Sequence, residues 1–161
     1  MGNRPKPPVD IPLVLPVQGC WELEEGSVDS VLFFRTITHT FPEATTAYFE
    51  GTSIEADVVA LFQRLSELGK YLPKPQTIWP ASSQFRCRFN TILCSELVAL
   101  ANRHAEPELF DHFFLYSDDE PILEWPDAFH NCIWISYAIS QQRVAQFAKA
   151  LGLSYRHERV A

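Results

Sequence analysis

Three amphipathic stretches with helix-capping residues alternate with strand-like stretches, and this alternation constrains the fold more than any other feature of the chain. Thr52-Ser53-Ile54-Glu55 has the form of a capping box and begins a predicted helix over residues 53–68. Asn90 is the predicted N-cap of a second helix, and Ser140 and Gly152 bound a third. Because each helix is apolar along one side only, all three are expected to bury that side against a sheet.

The first half of the predicted sheet comes from two neighbouring stretches. Residues 31–41 are rich in β-branched and aromatic side chains, which predicts a strand. Its largest apolar residues share one parity: Phe33, Ile37 and Phe41. Residues 45–50 are expected to pair back on this strand as a hairpin.

The remaining predicted strands lie in the second half of the chain. Residues 84–90 alternate between apolar and charged side chains, so one face of this strand is expected to be solvated. Residues 110–116 form a dense apolar run, and residues 122–125 are predicted to return beside it. Residues 130–139 are apolar on both parities, which favours a central strand, and residues 153–159 are predicted to form an edge strand.

This order of elements predicts an α+β domain of two layers, with a mixed, mainly antiparallel sheet and three helices on one face. A ferredoxin-like arrangement is a variant of the same prediction. A chain of 161 residues has the size of one domain. Because prolines are concentrated near its start, residues 1–18 are expected to form an extended arm and residues 19–161 the single domain.

Two segments of the chain repeat each other. Trp79-Pro80 and Trp125-Pro126 stand 46 positions apart, and each is followed by an alternating run and then an amphipathic run. At this offset Phe89 falls on Ile135, and Val98-Ala99 falls on Val144-Ala145. Duplication of one unit and chance similarity are both compatible with these matches.

Composition narrows the possible partners and the cellular compartment. The chain has 20 acidic and 13 basic residues and a formal net charge of −7, which argues against nucleic acid as a partner. No run is long enough to suggest a membrane span, so no membrane partner is expected. The four cysteines contain no C-x-x-C pair and are typical of buried thiols in a reducing compartment, which predicts a cytoplasmic protein.

The most unusual polar segment begins at Asp118-Asp119-Glu120 and continues to Trp125 and Asp127. Adjacent carboxylates repel each other, so they stay solvated or meet a cation. One interpretation is a partner-binding edge, in which Trp125 is the aromatic anchor beside carboxylates that a basic protein could pair with. The other interpretation is a solvated hairpin tip.

Two further constellations have weaker chemical signals. His112, Asp127 and His130 are candidate metal ligands, although their spacing matches no known signature and no metal or other cofactor is predicted. Arg35, Arg86 and Arg88 are candidate anion-binding residues if they share the solvent face of adjacent strands.

The absence of catalytic motifs favours a non-enzymatic function. The chain has no glycine-rich phosphate loop and no G-x-S-x-G nucleophile elbow. We therefore expect an interaction module that binds a protein partner, in the general manner of immunity or adaptor proteins. The alternatives are an enzyme, hydrolytic or metal-dependent, whose His and Asp residues converge in space, and a binder of small anions.

Overall fold

The computed structural model describes residues 14–24, 26–67 and 81–158, and these residues form an α+β fold, as predicted. Its helices are α1 (Leu15–Gln18), α2 (Ser30–Thr40), α3 (Ala56–Leu65), α4 (Thr91–Ala101), α5 (Glu106–Leu109) and α6 (Gln141–Leu151). Its strands are β1 (Cys20–Leu23), β2 (Thr46–Gly51), β3 (Ser83–Arg88), β4 (His112–Ser117), β5 (Glu120–Trp125), β6 (Ile133–Ser136) and β7 (Tyr155–Glu158). None of the helices in these ranges is long and apolar enough to cross a membrane.

All seven strands belong to one sheet, in the order β3-β2-β4-β5-β6-β1-β7, and every pairing is antiparallel. Strands β4, β5 and β6 follow one another directly, so they form a meander in the middle of the sheet. This element order differs from the β-α-β-β-α-β order of the ferredoxin-like variant. As predicted, β6 is an interior strand and β7 is an edge strand.

Alternate strand residues and five helices, α2 to α6, share one hydrophobic core. Phe49, Phe113 and Trp125 from the sheet pack with apolar residues of α2, α3, α4 and α6, and all three are fully buried. Ring pairs join helices to the sheet, for example Phe33 with Trp125 at 4.6 Å between centroids and Phe62 with Phe49 at 4.2 Å. Burial of side chains of this size stabilises the fold by about 1.5–3 kcal/mol each.

The prediction of a strand at 31–41 is wrong, because these residues form helix α2. Apolar residues four apart, such as Phe33 and Ile37, share a face both in a strand and in a helix. The side chain of Asp29 accepts a hydrogen bond from the Leu32 amide at 2.8 Å and caps the helix. The threonines of α2, at positions 36, 38 and 40, donate their hydroxyl protons to carbonyl oxygens four residues earlier, which satisfies them within the helix.

Residues 45–50 do contain a strand, β2, but its partners are not those predicted for the hairpin. β2 pairs with β3 on one side and with β4 on the other. Since 31–41 is helical, β2 receives both neighbours from later parts of the chain. Such long-range pairings cannot be read from local periodicity.

Two of the three predicted helix N-caps are present in the structure. Asn90 accepts a hydrogen bond from the Leu93 amide at α4, and Ser140 accepts one from Arg143 at α6, which ends at the left-handed Gly152. The capping box at 52–55 does not form, because α3 starts at Ala56 after an N-cap at Glu55. Thr52 instead donates through both its amide and its hydroxyl to the Asp111 carboxylate, at 2.9 and 3.1 Å.

The arm predicted at 1–18 lies mostly outside the described residues. Its last residues form the single helical turn α1 instead of extended chain. Val14 and Leu15 donate their amides to the Glu124 carboxylate, and Leu15 is 2% exposed. The end of this segment is therefore fastened to the sheet.

The Trp-Pro repeat has a different spacing in the fold. Trp79-Pro80 lies outside the described residues, but the strand and helix that follow each dipeptide can be compared. Each strand and helix start recurs 50 positions later, from 83 to 133 for the strand and from 91 to 141 for the helix. The 46-residue alignment therefore does not match structurally equivalent positions.

Candidate functional site at the acidic end of the sheet

The predicted acidic segment forms the tip of the β4–β5 hairpin. Asp118 has a φ of 53°, in the left-handed region that short polar residues tolerate at turns, and its amide donates to the Thr45 hydroxyl at 2.7 Å. The Asp119 carboxylate lies 3.3 Å from the Arg86 guanidinium, and its side chain is 92% exposed. Glu120 is also exposed. The three carboxylates are held by an ordered turn and face solvent.

A groove of about 480 Å³ lies beside this hairpin tip. Its acidic lining residues are Glu43, Asp118 and Glu120. Its apolar lining residues are Pro121, Ile122, Ala138 and Ile139. The arrangement combines negative charge at the rim with an apolar floor.

Arg143 is the cationic residue in the lining of this groove, and its charge is already neutralised. Its guanidinium donates to both carboxylate oxygens of Glu43 at 2.9 Å, and it also donates to the carbonyl oxygen of Thr40 at the end of α2. Among the described residues, no cationic side chain pairs with Asp118 or Glu120. The groove therefore presents a net negative charge.

Two residues of the predicted partner-binding edge lie elsewhere. Trp125 is 0% exposed and its indole N–H donates to the Asn131 carbonyl at 3.1 Å, so it is a core residue and is not available as a surface anchor. Asp127 is exposed but follows the opposite end of β5, away from Asp118 and Asp119. The five residues therefore do not form one edge, and only Asp118, Asp119 and Glu120 lie together at the hairpin tip.

The candidate metal ligands do not form a metal site. The Nδ1 atom of His112 accepts a hydrogen bond from the Asp127 amide at 2.9 Å, which occupies that nitrogen. His130 is exposed, and its amide bonds the Asp127 carbonyl in the turn after β5. Within residues 14–24, 26–67 and 81–158, no group of three or more His, Cys, Asp or Glu side chains could hold a metal ion.

The three candidate anion-binding arginines are also separated. Arg86 and Arg88 project from β3, whereas Arg35 lies on α2, because the segment predicted as a strand is a helix. Arg86 is engaged by Asp119 and lies over the Tyr116 ring at 5.8 Å from its centroid. Arg86 and Arg88 share one face of β3, but Arg35 does not lie with them on the sheet.

Sequence reasoning missed a buried polar network on the sheet. The Tyr48 hydroxyl donates to Glu50 at 3.0 Å and accepts from Gln84 at 2.7 Å, while the Ser82 hydroxyl donates to the other Glu50 oxygen at 3.1 Å. Burial raises the pKa of Tyr48 far above its ordinary value, so the phenol stays neutral. The alternation of Thr46, Tyr48 and Glu50 with apolar residues in β2 was the signal for a polar face.

A second missed cluster joins α3 to the segment that follows α4. The Nε2 atom of His104 lies 2.8 Å from an Asp57 oxygen, and its Nδ1 lies 3.3 Å from a Glu108 oxygen. The hydrogen bond to Asp57 raises the pKa of His104, and the same bond lowers the pKa of Asp57.

This cluster predicts a specific dependence of stability on pH. Because the pKa of His104 is raised in the fold, its protonated form stabilises the folded state. This contribution is fully present below the ordinary histidine pKa of 6.5 and is lost as the pH rises through the folded-state pKa. Because the pKa of Asp57 is lowered in the fold, its ionised form stabilises the folded state above the ordinary aspartate pKa of 3.8. That contribution is lost as the pH falls through the lowered pKa. We expect the stability difference between the wild type and His104→Gln, measured by urea unfolding, to shrink from about pH 6 to about pH 9.

His130→Gln, which changes an exposed histidine, is the matched control and should follow the wild-type curve. Parallel wild-type and His104→Gln curves across this range would show that the cluster does not stabilise the fold through charge.

Comparison of the chain with protein-family models, with curated proteins and with solved structures gave no significant match.

Proposed function

We propose that this protein is a non-enzymatic interaction module whose acidic groove binds a basic segment of a partner protein, in the general manner of immunity or adaptor proteins. The observation that carries the proposal is the groove beside the β4–β5 hairpin, where the carboxylates of Asp118 and Glu120, which pair with no cationic side chain of the described residues, border apolar lining residues. This combination suits a segment with an arginine or lysine next to an apolar side chain.

The exposed carboxylates of the groove are suited to attracting and selecting a partner more than to forming buried ion pairs. Exposed carboxylates at a rim mainly raise the association rate and select against acidic partners. Pro121 and Ala138 would supply most of the apolar area that the partner removes from water, because Ile122 and Ile139 are already buried. Binding should therefore weaken as salt concentration rises but keep an apolar component.

The proposal predicts a charge-reversal effect. In an NMR titration with a blocked Arg-Leu-Arg peptide, we expect resonance shifts at residues 117–122 and 136–139. The double variant Asp118→Lys, Glu120→Lys should raise the Kd at least about tenfold, because two favourable charge pairs become repulsive.

Glu96→Lys is the matched control, since Glu96 is an exposed carboxylate on α4, outside the groove. It should bind the peptide like the wild type, and a Gln-Leu-Gln peptide should bind weakly to all three proteins. Equal weakening by Glu96→Lys, or shifts confined to another surface, would contradict the proposed site.

A further inference from the structure

A second groove, of about 530 Å³, runs between α2 and α4. Its lining consists of Phe34, Arg35, Thr38 and His39 from α2 and of Thr91, Cys94, Ser95 and Val98 from α4. No lining residue is acidic, although the chain as a whole has 20 acidic and 13 basic residues. This groove therefore has the opposite electrostatic character to the one beside the β4–β5 hairpin.

The cationic side of the groove is available to a ligand. Arg35 and His39 are exposed, and neither has a carboxylate partner among the described residues. Arginine presents several N–H donors in a planar fork that matches carboxylate and phosphate oxygens. The hydroxyl groups of Thr91 and Ser95 line the same groove and add neutral donors.

Among the apolar lining residues Phe34, Cys94 and Val98, only Val98 is partly exposed. Phe34 is fully buried, Cys94 is 2% exposed, and Val98 packs against the core. Burial raises the pKa of the Cys94 thiol, so this side chain is neutral and adds to the apolar wall. The volume lies within the range of pockets that take small molecules.

We propose that the α2–α4 groove binds a small organic anion, with its acidic group at Arg35 and a short apolar body against Val98, which is partly exposed. The inference does not depend on the proposed function, because the two grooves share no lining residue. A carboxylate and a phosphate monoester offer the same chemistry to Arg35, and the experiment separates them.

The test is an NMR titration of the full chain with hexanoate and, separately, with hexyl phosphate, up to about 10 mM, the range expected for such small ligands. We expect saturable shifts confined to residues 34–39 and 91–98. The ligand that saturates at lower concentration identifies the preferred acidic group. Arg35→Gln should raise the Kd at least about tenfold, because a charge-assisted hydrogen bond is lost.

Two controls keep the result specific. Arg64→Gln removes an exposed arginine outside the groove and should leave the Kd unchanged, and 1-hexanol should bind more weakly than either anion. The proposal is overturned if neither anion gives saturable shifts, if hexanol binds as well as the anions, or if Arg35→Gln binds like the wild type. An acidic peptide is titrated in parallel, and shifts that this peptide alone causes would equally overturn the proposal, since they would indicate a protein ligand.

Discussion

Replacement of Trp125 by alanine is expected to lower the free energy of unfolding by about 3–5 kcal/mol, the range for large aromatic residues removed from a core. Trp125 is fully buried and its ring packs against Phe33 at 4.6 Å and Phe129 at 4.8 Å between centroids. The truncation would leave a cavity between the sheet and α2 and would also leave the Asn131 carbonyl without its indole donor.

Urea denaturation of the wild type, Trp125→Ala and Trp125→Phe measures this effect. The phenylalanine variant should lose clearly less stability, because most of the apolar volume is kept. A loss below about 1 kcal/mol for Trp125→Ala would mean that the residue does not support the core and would restore its interpretation as a surface anchor.

Replacement of Glu124 by alanine is expected to cost about 2–4 kcal/mol, because two backbone amides lose hydrogen bonds to a carboxylate, each worth about 1.5–3 kcal/mol, and relief of the carboxylate's desolvation offsets part of the loss. The Glu124 carboxylate is 2% exposed and accepts from Val14 at 3.0 Å and from Leu15 at 2.7 Å. The variant should also release residues 14–18 from the sheet, since these bonds fasten that segment.

Amide hydrogen exchange of Val14 and Leu15, together with urea denaturation, tests both parts of this prediction. Glu120→Ala, at the exposed start of the same strand, is the control and should change stability by no more than about 0.5 kcal/mol. If Leu15 stays protected from exchange in Glu124→Ala, the carboxylate does not hold the segment.

Burial also raises the pKa of Glu124. A carboxyl whose folded-state pKa is raised binds more protons in the folded state than in the unfolded state. Its ionisation therefore lowers stability as the pH rises from the ordinary glutamate value through the raised pKa. Over this interval the stability of Glu124→Ala should fall less steeply with pH than that of the wild type.

The acidic turn of the candidate site could be predicted from the sequence, but the groove beside it could not. Three adjacent acidic residues before a proline indicate an exposed turn, which is where Asp118 and Asp119 lie. The groove beside them could not be foreseen, because Glu43, Ile139 and Arg143 reach it from distant parts of the chain. The prediction that Trp125 lies at the surface was wrong. Acidic residues surround it in the sequence, but it shares a face of β5 with the buried Leu123.

The sequence by itself determined the elements whose signals are local. Asn90, Ser140 and Gly152 bound their helices because caps are satisfied within a few residues, and alternation at 84–88 defines a strand with one polar face. The apolar pattern at residues 30–40 is ambiguous, since Phe33 and Ile37 share a face in either conformation, and the Asp29 cap is the local signal that favours a helix. Only the tertiary structure decided the partner of Thr52, whose hydroxyl bonds Asp111 instead of a helix amide, and of Glu124, whose carboxylate accepts from a segment more than 100 residues away. In both cases the partner is distant in sequence, and local patterns contain no information on such a contact.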